Sequence, residues 1–174
     1  MSSLGTDNQS KASELDQNLE LLRQTYLFAV VPLESLKVFA YLCNREKFKQ
    51  GEYLIRQGED DGQAFYIIEG QAVLEREEGD SPRTVRALPA GEFIGGLSLL
   101  GSMQRLYSIR AETETTCLIL SREKFSRTMT RFQDLMPSFF KALVGQIDAW
   151  EKSFLSARTD QCTDCLMQLG VSLL

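Results

Sequence analysis

The sequence predicts a mainly β domain with helices on either side, and three observations predict it. Between residues 45 and 120, short runs rich in Tyr, Ile, Phe and Val alternate with glycines at close intervals. Regularly spaced short strands with glycine punctuation indicate a sandwich or barrel. The flanking segments carry helical periodicity instead. At 174 residues the chain has room for one well-buried core and an accessory segment.

Residues 1–12 are polar and Ser-rich, with nothing to bury, and read as a flexible tail. From Ser13, Leu15, Leu19, Leu22 and Tyr26 mark one helical face. Pro32 stands in the first turn of a second short helix, carried forward by Leu33, Leu36, Phe39 and Leu42. Strands are expected at 45–49, 53–57, 64–69, 72–76, 84–88, 107–111 and 116–120, within a barrel of about eight strands over 45–120. Ser121 is a natural N-cap for a helix containing Lys124, Phe125 and Met129, which completes a domain over 13–131.

A long helix over 132–157 follows, and 158–174 reads as a C-terminal tail. Met136, Phe140, Leu143, Ile147, Trp150 and Phe154 recur at alternating spacings of four and three, a coiled-coil seam. Asp134 is placed to cap this helix, with Pro137 in its first turn, where a missing N–H costs nothing. Phe132, Leu135 and Phe139 form a second apolar edge, expected to pack back onto the barrel. Apolar residues on two sides exceed what one contact needs, so a homodimer through the seam is expected. The plainer alternative is that the whole stripe is intrachain core.

Composition bounds the chemistry. There are no histidines, which removes His-based triads, imidazole bases and His-ligated metals together. The chain is read as non-catalytic, with no cofactor and no metal. Acidic residues outnumber basic ones 24 to 19, for a net charge of −5, which argues against gripping a phosphate backbone. No secretory signal or membrane-length apolar run is visible, so a reduced, cytoplasmic setting without membrane contact is expected. Cys43 and Cys117 sit in apolar stretches and read as small buried hydrophobes. Cys162 and Cys165 form a Cys-x-x-Cys pair. Two chains together could bind zinc through it, but an apolar end of Cys165, Leu166, Met167 and Leu169 docking on a neighbour is the preferred reading.

These features in order resemble a family. The run Phe48-Lys49-Gln50-Gly51-Glu52 through Arg56-Gln57-Gly58-Glu59, then Phe65-Tyr66-Ile67-Ile68-Glu69-Gly70, resembles the first half of a cyclic-nucleotide-binding domain. Gly91-Glu92-Phe93-Ile94-Gly95 resembles the start of that family's phosphate-binding cassette. By pattern the chain is most similar to the effector halves of bacterial catabolite-activator-type regulators, over roughly residues 15–154. The resemblance implies a double-stranded β-helix, or jelly-roll, barrel and a regulatory rather than enzymatic role. In those regulators the long helix leads into a DNA-reading module. Only residues 155–174 follow here, too few for it, so no nucleic-acid partner is expected.

The implied ligand is a cyclic nucleotide, cyclic AMP or cyclic GMP. Burying a cyclic phosphate demands free N–H groups at a helix start and a cation. Gly95, Gly96, Leu97 and Ser98 are expected to supply the first, with Leu97, Leu99 and Leu100 anchoring the turn in the core. The resemblance places the phosphate on Arg105, whose guanidinium suits phosphate oxygens; the alternative is an ordinary surface arginine. It also places Trp150 and Glu151 near the base, where an indole can stack. Two departures stand out. Gly96 replaces the glutamate that accepts from the ribose 2′-hydroxyl in that family, and Leu106 and Tyr107 replace two small residues after the arginine. Losing a buried charged acceptor costs about 1.5–3 kcal/mol. Weak cyclic AMP binding, indifferent to the 2′-hydroxyl, is therefore expected. The first function hypothesis is a sensor signalling through its C-terminal helix. The second is a dimeric interaction scaffold with a degenerate pocket, and a His-dependent β-barrel enzyme is a remote third.

Overall fold

A computed structural model describes residues 4–78 and 81–157. Helices α1 (Leu4–Arg23) and α2 (Leu33–Leu42) come first. Eight strands follow among the described residues: β1 (Asn44–Phe48), β2 (Tyr53–Ile55), β3 (Gln63–Glu69), β4 (Gln71–Glu78), β5 (Ser81–Pro89), β6 (Phe93–Ile94), β7 (Ser108–Ala111) and β8 (Thr115–Ser121). The short helix α3 (Gly96–Leu100) lies between β6 and β7. Helix α4 (Arg122–Arg131), a 3₁₀ turn (Gln133–Leu135) and α5 (Met136–Ala157) complete the chain.

All pairings are antiparallel, in two four-stranded sheets ordered β1-β8-β3-β6 and β2-β7-β4-β5. This is the jelly-roll architecture, with helices on both sides in sequence, that the pattern predicts. Strand β3 explains why its sequence is a continuous apolar run rather than an alternation. Phe65 and Ile67 belong to the cluster between the sheets, while Ala64 and Tyr66 join the cluster under the helices. A strand covered on both faces needs apolar residues on both. Gly70 joins β3 to β4 at φ +89°, and a Cβ there would lie 2.8 Å from Thr115 Cα and overlap the Glu114 carbonyl. Only glycine serves at that position.

The helical layer is held by aromatic edges. Phe28, Phe39, Phe125 and Phe139 are buried, with ring centroids 5.2–6.3 Å apart. Leu135 of the 3₁₀ turn and Phe139 of α5 pack into this layer, with Phe132 partly buried against it, as the second apolar edge predicts. Ser121 caps α4, accepting from the Lys124 backbone N–H at 3.4 Å. Cys43 and Cys117 are buried, and burial pushes both thiols up to about 12.

Two boundaries differ from expectation. Helix α1 begins at Leu4, inside the segment read as a tail. Residues 4–12 have no apolar stripe, so periodicity could not report a helix that simply propagates outward from a packed turn. Asp134 lies within the 3₁₀ turn rather than capping α5, which starts at Met136 with Pro137 in its first turn. On the seam, Leu143 is half-buried against the helical cluster. Met136, Phe140, Ile147 and Trp150 are 40, 61, 39 and 52 % exposed, so one chain leaves most of the stripe open. Val144, outside the heptad pattern, is exposed beside them. The Phe154 side chain, Cys162 and Cys165 lie outside the described residues.

Candidate functional site

The chain enters α3 through two glycines with different reasons for being glycine. Gly95 is left-handed at φ +79°, and a Cβ on it would lie 2.7 Å from both Arg105 Nη1 and the Gln63 carbonyl. Gly96 is buried, and a Cβ on it would lie 2.6 Å from the Tyr26 hydroxyl. Of the three leucines expected to anchor this turn, only Leu99 does so; Leu97 and Leu100 are exposed. A helix of five residues has one buried face, and Leu99 holds it.

Arg105 is not a surface arginine. It is 3 % exposed, and its guanidinium donates from Nε and Nη2 to Asp61 Oδ2 and Oδ1 at 3.1 and 2.6 Å. Nη2 also donates to the Gln63 carbonyl at 2.5 Å. Its backbone is tied to the β2–β3 loop, accepting from Gly58 N–H at 2.8 Å and donating to the Glu59 carbonyl at 2.9 Å. Nη2 thus has two acceptors, and Nη1 has none among the described residues. Gly95 and Arg105 are thus brought together.

Nothing in the sequence marks Asp61. It is one acid in a polar run, and its guanidinium partner is 44 residues away. The preceding Asp60 carries a second arginine. Arg122, the first residue of α4, grips Asp60 through both terminal nitrogens and donates from Nε to the Ser98 carbonyl at 2.6 Å. Ser102 donates to the same carboxylate. These bonds, Arg122 first and then Ser102, hold the Asp60 carboxyl well below the usual carboxylate range. Ionised Asp60 therefore stabilises the fold fully above the unfolded carboxylate pKa of about 4 and loses that contribution as pH falls toward the lower folded value. Asp60→Asn should be less stable at neutral pH and lose less on acidification below pH ~4, read by urea denaturation along a pH series. Parallel acid limbs in the two proteins would show that the ion pair does not matter.

The remaining expected residues differ in burial. Ser98 is fully buried, and its Oγ is the only buried side-chain oxygen or nitrogen without a partner among the described residues. Leu106 is 74 % exposed, whereas Tyr107 packs against the cluster between the sheets. Trp150 stands half-exposed on α5, about 20 Å along the helix axis from Met136. A groove of about 670 Å³ is lined by Asp60, Asp61, Leu100, Arg122, Met129 and Met136 among others.

The domain is thus a jelly roll whose glycine turn abuts a buried guanidinium held by an aspartate. Nothing in the site pairs a nucleophile with a base, and the described residues contain no cluster of His, Cys, Asp or Glu able to hold a metal. No helix among the described residues is long and apolar enough to cross a membrane.

Comparison with known proteins gives the family. The family model for the cyclic nucleotide-binding domain matches residues 45–132. The chain belongs to the cyclic nucleotide-binding domain family. It is 30 % identical over 123 residues to human cGMP-dependent protein kinase 2, a match covering 69 % of this chain and 16 % of that kinase. It is 35 % identical over 111 residues to a cAMP-dependent protein kinase regulatory subunit of Emericella nidulans, covering 63 % of this chain and 26 % of the subunit. The chain thus spans only a small part of these relatives. The catabolite activator protein of Thermus thermophilus superposes with a TM-score of 0.61 at 25 % identity, covering 76 % of this chain and 62 % of that one. The resemblance to activator-type regulators seen in the sequence is therefore borne out.

Proposed function

We propose that this chain is a non-catalytic, cytoplasmic regulatory module that takes a cyclic nucleotide or related anion at Gly95, Gly96, Leu97, Ser98 and Arg105 and signals through α5. The observation that carries the reading is the pair of consecutive aspartates. Asp61 holds the cassette arginine and Asp60 holds the first residue of α4, so a ligand that loosens one contact acts on a two-residue lever. An anion at Arg105 competes with Asp61 for the guanidinium, which couples occupancy to α4.

Calorimetry with cyclic AMP, cyclic GMP and 2′-deoxy cyclic AMP tests this. Weak binding, within about threefold for ribose and deoxyribose, is the expected result, because Gly96 has no carboxylate to read the hydroxyl. A sharp loss with the deoxy compound would mean that another residue takes that part.

The second reading is a dimeric scaffold with a degenerate pocket. Tyr107 packed against the inner cluster and Arg105 committed to Asp61 favour it. Both readings use a homodimer through Met136, Phe140, Leu143, Ile147, Trp150 and Phe154. Because Leu143 also packs within its own chain, Phe140 and Ile147 are the cleaner probes. Phe140→Asp with Ile147→Asp should convert a dimer to a folded monomer by light scattering, since a charge in an apolar seam is left unpaired. A wild type that is monomeric at high concentration removes the dimer from both readings.

A further inference from the structure

Residue 96 has no side chain, and a tyrosine from another part of the chain stands in the space. Tyr26 comes from the turn between α1 and α2, with its ring edge-on to Phe93 at 5.8 Å. A Cβ on Gly96 would be 2.6 Å from its hydroxyl and 3.0 Å from Phe93 Cε1, but 3.4 Å from Tyr26 Cζ. The hydroxyl oxygen is therefore the atom that excludes a side chain here. Among the described residues that hydroxyl has no hydrogen-bond partner, although Ser98 Oγ alone is both buried and unpartnered. The Tyr26 hydroxyl thus keeps contact with solvent while its ring is packed. Burial, and then the Tyr107 phenol, raise its pKa, so the group is a neutral O–H donor at physiological pH.

We propose that Tyr26 is a specificity-determining residue of the cassette. Its phenol takes the space of a side chain at 96 and presents a neutral donor next to the glycine turn that abuts Arg105. This inference rests on the reading of the cassette as a ligand site. The physical consequence is a preference of one kind. A carboxylate in this space would accept from ligand hydroxyls and repel a second anion. A phenol donates to anionic oxygens and asks nothing of the hydroxyls the ligand carries. The site therefore suits small phosphate-type anions whatever sugar they bear.

The test joins a packing cycle to a binding series on the full chain. Tyr26→Phe removes only an unpartnered oxygen and should leave the melting temperature nearly unchanged. Gly96→Ala should lower it by roughly 4 °C or more in the wild-type background and by much less in the Tyr26→Phe background, because the oxygen that opposes the new methyl is gone. In calorimetry with cyclic AMP and its 2′-deoxy analogue, Tyr26→Phe should weaken both alike, by about fivefold. If the wild type binds but the Tyr26→Phe variant binds equally well, or if the two substitutions are additive in melting temperature, Tyr26 has no such part and the ligand reading stands without it. If the wild type binds neither probe, the ligand reading itself fails and takes this proposal with it.

Discussion

Asp61→Ala should cost the fold about 3–5 kcal/mol, because it leaves a guanidinium that is 3 % exposed without its counterion. The bidentate bond to Asp61 is the main charge compensation available to Arg105; the Gln63 carbonyl is the other partner of its fork. For a domain of this size the loss corresponds to a fall in melting temperature of roughly 10 °C. An anion seated on the guanidinium freed of Asp61 should return part of it, so phosphate or cyclic AMP should stabilise the variant more than the wild type. A loss below about 1 kcal/mol would mean that water reaches Arg105 easily and that the pair is not the hinge of the site.

Phe139→Ala should be comparably severe and differently distributed. Its ring meets Phe28, Phe39 and Phe125 at 5.9, 6.2 and 5.3 Å and is 1 % exposed. Truncating such a ring costs about 3–5 kcal/mol through lost burial and the cavity left behind. With Leu135 it is also the main anchor of α5, whose outer residues are mostly exposed. Hydrogen exchange should therefore accelerate along α5 before it accelerates in β3 and β8. Uniform acceleration would mean that α5 and the sheets open as one unit.

The two predictions draw on features that differ in how well the sequence reports them. Phe139 sits on an apolar edge visible as periodicity, and its docking face is legible from that alone. Asp61 sits in a polar run between two strands, where periodicity carries no information about partners. The same contrast runs through the cassette. The glycine-rich turn and its arginine are legible because local backbone geometry demands glycine and because ordered motifs resemble a known pattern. Tyr26 reads as the last residue of a helical face, but α1 ends at Arg23 and Tyr26 stands in the turn that follows, where periodicity is silent about its hydroxyl. The expectation that Leu97, Leu99 and Leu100 would all point inward failed because a helix this short has room for only one buried face.

By itself the sequence determined the mainly β architecture, the helices on both sides, the capping serine at Ser121 and the two apolar edges of α5. Each of these is a local matter, set by periodicity of two or 3.6, by glycine at turns and by capping chemistry. Only the tertiary structure decided which charges meet, with Asp61 on Arg105 and Asp60 on Arg122 across separations of 44 and 62 residues. It alone placed the Tyr26 hydroxyl against Gly96. Such contacts depend on how strands and helices converge in space, and a carboxylate, a guanidinium or a phenol looks the same in sequence whether it faces water or a partner.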